Sequence, residues 1–233
     1  FNVWMLLSLP GIAEDENIEL AIILAFRGSA KSTILGLCYP IWAIIGKQHK
    51  KFIVIFTQTQ QQAKKIMENI KDELETNSIL RADIGPFQSS NDEWSRSSIV
   101  LKKFDARITV GSIDQGTRGI THHQSRPDLI ILDDIADLAS VKTKEGRDKI
   151  YDWYVGDIIE LGDLNTRYFL LGTRLHNDDL PDRLMNDIKT EKRDGVYLEI
   201  PIIRDGKIAW PGKYPDMNAI EKEERKIGNR IAW

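Results

Sequence analysis

Residues 25–33 read AFRGSAKST, in which a Lys–Ser pair closes a short polar segment that follows an apolar run. The spacing approaches the phosphate-binding loop G-x-x-x-x-G-K-[ST], whose backbone N–H groups curl around phosphates at a helix N-terminus. Ala25 and Ala30 stand at the two glycine positions, and Gly28 lies inside the loop. Alanine strains such a loop only where the backbone must take a positive φ. Lys31 would bring positive charge to the β- and γ-phosphates, the Ser32 hydroxyl would ligate Mg2+, and Thr33 would be its helical neighbour. The competing reading is a small-residue helix start with a solvated lysine. Farther along, LIILDD sets Asp133 and Asp134 directly after an apolar run. In nucleoside triphosphatases the first acid at such a place holds Mg2+ and the second polarises the attacking water, commonly as Glu. Asp134 is one methylene shorter than Glu, which leaves Asp137 as a candidate helper. Paired Asp at a strand end is also ordinary turn chemistry.

These residues need a scaffold that brings them together. LAIILAF (20–26), KFIVIFT (51–57), DLIILDD (128–134) and RYFLLGTR (167–174) are apolar runs without alternation, and GVYLEIPII (195–203) adds a further candidate strand. Between them lie helical patterns: through Ile45 after the loop, disturbed at Pro40, then 59–77, 145–159 and 177–189. Buried strands separated by helices imply an α/β fold with a mostly parallel sheet covered on both faces. Residues 97–112 alternate like a hairpin, and residues 78–92 read as loop. Ligands of such sheets bind outside the carboxyl ends of the strands. Three polar clusters fall there: 25–33, 133–137 and 172–176.

The chain of 233 residues carries a net charge of −3, so contact with nucleic acid should be a local patch. One cysteine, Cys38, excludes a disulfide framework and suits a small core position. No apolar run reaches the roughly 20 residues needed to span a bilayer, and no secretory signal opens the chain. The expectation is a soluble, intracellular-type domain from a longer protein.

Together, AFRGSAKST, GTRGIT, LIILDD and LLGTRLHNDD resemble, in order and spacing, the ATPase domain of the large terminase subunit of tailed bacteriophages, the motor that packages viral DNA into a preformed capsid. The resemblance covers about residues 20 to 230. It implies a RecA-like (ASCE) P-loop NTPase sheet with the acid strand next to the loop strand. Residues 1–200 would form the ATPase domain. Residues 201–233 would form a Pro-rich turn and helix leading toward a nuclease domain. The implied cofactors are ATP and Mg2+. The implied partners are double-stranded DNA, a portal protein, a small terminase subunit and further copies in a ring, with no membrane. The implied location is the host cell cytoplasm, with transient docking on the viral procapsid. Arg27, Gly28, Ser29, Ala30, Lys31, Ser32 and Thr33 match the nucleotide loop, Ser32 and Asp133 the Mg2+ ligands, and Asp134 the catalytic acid. Leu171, Gly172 and Thr173 match a coupling motif in which Thr173 senses the γ-phosphate. An arginine must neutralise charge in phosphoryl transfer. Arg118, between Gly116 and Gly119, would serve a neighbouring subunit, whereas Arg27 would act in cis.

Other readings remain open at this point: a helicase-like translocase, an assembly module with a degenerate loop, or a nuclease using the same acids. His122, His123 and His176 lack the sequence spacing of a zinc site and read as loop residues. Arg126 and the two adjacent histidines could line a subunit contact. The stretch with Trp94, Arg96, Lys102, Lys103 and Arg107 could track a phosphate backbone, but reads more simply as a hairpin with one wet face. Trp153 and Tyr154 read as core.

Overall fold

The computed structural model describes residues 3–89, 92–115, 117, 120, 122, 123 and 125–227. Its centre is a seven-stranded sheet in the order β3-β4-β2-β5-β6-β1-β7. The strands are β1 (Leu20–Ala25), β2 (Phe52–Thr57), β3 (Ser98–Leu101), β4 (Ala106–Ser112), β5 (Leu129–Asp133), β6 (Arg167–Gly172) and β7 (Val196–Ile200). All neighbouring pairs are parallel except β3 with β4, the expected hairpin. The mostly parallel α/β sheet expected from the apolar runs is therefore present.

β1, β2, β5 and β6 are buried along their whole length. Pleating sends alternate side chains to opposite faces. Ala21, Ile23, Ile53, Ile55, Ile131 and Phe169 pack on one face with Met67 and Ile70 of α3 (Gln60–Thr76). Ile22, Val54, Ile130, Leu132 and Leu170 pack on the other. There they meet Trp153 of α5 (Lys144–Trp153), Tyr154, and Leu184 of α7 (Leu180–Lys189). Two-sided burial explains why these strands read as continuous apolar runs.

Several helix starts follow from local chemistry. Thr59 and Gln62 form a reciprocal capping box at α3, and Thr143 and Asp179 accept backbone N–H bonds at α5 and α7. The helix after the loop is not uniform. Ser32–Cys38 is wound as a wide π-helix and passes into α2 (Tyr39–Ile45), with Pro40 in its first turn. A proline lacks the N–H that a continuous α-helix would need there, so the disturbance expected at Pro40 is absorbed by the wider turn before it. The second long helical pattern divides similarly: α5 runs through a π-helical turn, Tyr154–Ile158, into the short α6 (Ile159–Leu161).

Three expectations need correction. Residues 78–92 are not wholly loop: α4 (Ser78–Ile84) begins at Asn77, whose side chain caps Leu80 N–H at 3.0 Å. Cys38 is exposed rather than core, since the same stretch of helix turns Leu35 and Tyr39 into the core instead. The acid strand β5 does not lie beside the loop strand β1, since β6 pairs with both. An N-terminal helix, α1 (Val3–Glu14), and a small hairpin of β8 (Ile203–Arg204) and β9 (Lys207–Ile208) went unforeseen. α8 (Met217–Ile227) is the expected tail helix, and its Ile220 is buried in the same core as β1.

Arg167, at the amino end of β6, is 2% exposed. Its guanidinium donates to the carbonyls of Ile12, Ala13, Asp15 and Ile18 at 2.9–3.0 Å and lies over the Phe169 ring. These carbonyls close the C-terminal end of α1, where a helix leaves acceptors unpaired and carries partial negative charge. A residue that reads as the start of a strand therefore tethers the N-terminal helix to the sheet.

Candidate functional site

β1, β5 and β6 end at the same edge of the sheet, and the polar residues that follow them line a cavity of about 460 Å3. Its walls include Arg27 through Thr33, Gln58, Gln62, Asp134, Asp137 and Thr173. The three sequence clusters meet here, joined by a fourth from the end of β2 that the sequence reading passed over. Gln58 and Gln62 come from TQTQQQ, a polar run directly after a buried strand, and strand order alone would have placed it beside β5.

The loop departs from its alanine pattern in an informative way. Ala25 is the last residue of β1, where extended backbone needs no glycine. Gly28 takes φ +71° and Ala30 takes φ +69°. The first is free for glycine, whereas the second costs about 1–2 kcal/mol for an alanine. Ser29 is 1% exposed, and its Oγ lacks a hydrogen-bond partner among the described residues. An orphaned hydroxyl in a cavity wall suits an acceptor-rich ligand such as a phosphate.

Lys31 is 6% exposed and its Nζ bridges two strand ends. It pairs with Asp134 Oδ2 at 3.0 Å and donates to Thr173 Oγ1 at 3.4 Å. Thr173 in turn donates to the Ala25 carbonyl at 3.2 Å. The interposed β6 thus sets the Thr173 hydroxyl between the end of β1 and the lysine. Asp134 turns out of β5 at φ +46°, and its N–H bonds Leu171 O at 3.0 Å.

Behind this layer, Ser32 Oγ donates to Asp133 Oδ1 at 3.0 Å. Asp133 is 4% exposed. Burial, and then the neighbouring Asp134 carboxylate, push its acid up to about 6, against the pull of Ser32 and Lys31. Gly36, on the π-helical turn, faces it closely: a Cβ there would lie 3.3 Å from Asp133 Oδ2. A half-buried hydroxyl and a buried carboxylate held together form an oxygen-only donor set, which fits Mg2+.

The remaining candidates separate. Asp137 lines the cavity, but it accepts the Ser140 N–H at 2.7 Å and a Gln58 hydrogen bond that hold its carboxyl below the usual range. It is committed to a turn, while Asp134 faces Lys31. Arg27 is exposed at the cavity wall. Arg118, with Gly116 and Gly119, lies outside the described residues.

Arg126 donates to the Glu160 and Leu161 carbonyls at 2.7 and 3.3 Å, so it closes the end of α6. Lys102 pairs with Asp92, Arg107 with Glu93, and Lys103 donates to Ile84 O, in keeping with a hairpin whose wet face is locally paired. His122 and His123 do gather with Asp105, their ligand atoms within 4.8 Å of one another, a cluster invisible to sequence spacing. Burial, and then the neighbouring His123 and the Arg107 charge, hold the His122 imidazole below its ordinary value. Trp153 and Tyr154 are buried, as expected.

No protein-family model and no curated protein matches the chain. Solved structures do. The large terminase of bacteriophage HK97 superposes with a TM-score of 0.56 at 15% identity, over 91% of this chain and 43% of that one. A mutant of the large terminase ATPase domain of Thermus phage P74-26 gives a TM-score of 0.50 at 11% identity, over 89% of this chain and 83% of that one. The chain spans less than half of the HK97 protein, and it carries the fold found in large terminase ATPase domains.

Proposed function

We propose that this chain is the ATP-hydrolysing domain of a viral DNA-packaging motor. The observation that carries the reading is the position of Lys31: buried, inside a loop that opens a helix, and joined to Asp134 and Thr173 at the ends of β5 and β6. The shared fold with large terminases supports the same reading.

The residues divide the work of phosphoryl transfer. Triphosphate oxygens replace Asp134 as the partner of Lys31, and the Ser29 hydroxyl and the loop N–H groups add donors. Asp134, released from the ammonium, accepts a proton from the water that attacks the γ-phosphorus as the bond to the bridging oxygen breaks. Ser32 and Asp133 would hold Mg2+, which would supply positive charge against that of the phosphates. The Thr173 hydroxyl, between Lys31 and Ala25, passes the loss of the γ-phosphate to β6. Arg118 from a neighbouring copy, or Arg27 in cis, supplies the transition-state charge. Double-stranded DNA, a portal protein, a small terminase subunit and a ring of further copies are the partners of this reading, at a procapsid in the host cytoplasm.

Steady-state ATP hydrolysis, followed against protein concentration with and without linear double-stranded DNA, tests it. Turnover lost in Lys31→Ala and rising with concentration in an Arg118-dependent way is the expected result. Binding without turnover under every condition would favour an assembly module, a reading to which the strained Ala30 lends some support.

A further inference from the structure

The segment after β9 reaches back to the phosphate loop. Lys213 Nζ donates to the Gly28 carbonyl at 3.0 Å, across 185 residues of sequence. The same ammonium lies 5.5 Å from the Trp210 ring centroid and 5.2 Å from that of Tyr214. Tyr214 is 7% exposed and meets Phe26, the residue after β1, edge to face at 6.3 Å. The segment is tied to itself by Lys213 and Tyr214 N–H bonds to Trp210 O. A lysine is thus caged by two aromatic faces and aimed at one carbonyl of the loop.

Gly28 is shaped for this contact. Besides its φ of +71°, a Cβ at Gly28 would lie 2.4 Å from Lys213 Nζ. Gly28 lines the cavity, and its carbonyl takes the ammonium of Lys213, which is not among the lining residues. An anion cradle needs its N–H groups turned inward and its carbonyls turned outward. A cation held on such a carbonyl stabilises that orientation and adds positive potential beside the phosphates.

We propose that Lys213 is a positioning residue for the phosphate loop, through which nucleotide binding and docking of the Trp210–Tyr214 segment become one linked equilibrium. This rests on the nucleotide reading of the site. Linkage is reciprocal: a tail that holds the loop in its binding form is itself held more firmly once nucleotide is bound. The tail then reads the state of the site and passes it toward whatever follows α8.

The test uses the full chain and two readouts: the Kd for a fluorescent ATP analogue with Mg2+, and amide exchange over residues 26–32 and 207–216. Lys213 is exposed, so Lys213→Met leaves the core intact, and Lys213→Gln provides a second neutral variant. The expected result is a three- to tenfold weaker Kd, about what an exposed cation–π and hydrogen-bond contact supports. Lys213→Arg should restore the affinity to within about twofold. Nucleotide should slow exchange over 207–216 in the unaltered protein and not in Lys213→Met. Unchanged affinity in both neutral variants, with exchange over 207–216 indifferent to nucleotide, overturns the proposal. If the unaltered protein binds no nucleotide, the functional reading fails separately. Exchange without nucleotide then decides: faster exchange over 26–32 in Lys213→Met supports the positioning role, and equal exchange refutes it.

Discussion

Lys31 and Asp134 are paired at 3.0 Å across the mouth of the cavity, the lysine buried and the aspartate 44% exposed. The pair is a competition: the acid occupies the cation that a triphosphate would take. Asp134→Asn is expected to tighten ATP binding modestly while lowering kcat by about 10²–10⁴-fold, the usual contribution of a general base. Parallel measurement of Kd and single-turnover rate checks this. An Asn variant that hydrolyses at the original rate would move the catalytic role to another acid.

The two alanines of the loop should respond in opposite directions to glycine. Ala30 carries a left-handed backbone at φ +69°, so Ala30→Gly should stabilise the protein by about 0.5–1 kcal/mol, after glycine's unfolded-state entropy is set against the relieved strain. Ala25 ends a buried strand, where Ala25→Gly should destabilise by a similar ~0.5–1 kcal/mol. Denaturant midpoints of the two variants decide it, and a loss of stability in both would place Ala30 outside the strained region.

Asp133 sets a pH signature. Its folded acid titrates near 6, above the ordinary 3.8. Between these values the folded state binds more protons than the unfolded state, so metal-free stability falls as pH rises through the window. The cost is fully present above pH 6 and is on the order of 3 kcal/mol. Asp133→Asn should flatten that slope in thermal melts. Mg2+ should raise the melting temperature of the unaltered protein at pH 7 and do so far less at pH 5, where the ligand is protonated.

Arg167 offers a control away from the cavity. Arg167→Met leaves four backbone acceptors without their buried cation and should cost about 3 kcal/mol or more. Amide exchange in α1 should rise, while the Kd for nucleotide stays within about twofold because the site is at the opposite end of β6.

The sequence made the central sheet legible because β1, β2, β5 and β6 are buried on both faces and leave uninterrupted apolar runs. It also exposed the site in outline, since polar residues directly after such runs mark the binding edge of a parallel sheet. The order of the strands was less accessible. Nothing local in RYFLLG says that β6 pairs with both β1 and β5, and the position of Thr173 follows from that pairing alone. Gln58 was overlooked because no motif names it, and Gly36 because its value lies in nearness to Asp133 rather than in a turn. The Lys213 contact spans 185 residues, and the Asp105–His122–His123 cluster joins separate loops, so sequence spacing encodes neither.

Whether the loop, the lysine and the two aspartates form one triphosphate site is decided by calorimetric titration with a slowly hydrolysed ATP analogue and Mg2+. Saturable one-site binding to the unaltered chain, lost in Lys31→Ala and insensitive to Mg2+ in Asp133→Asn, is the expected result. Equal binding by the unaltered chain and Lys31→Ala, or no binding to either, would contradict it.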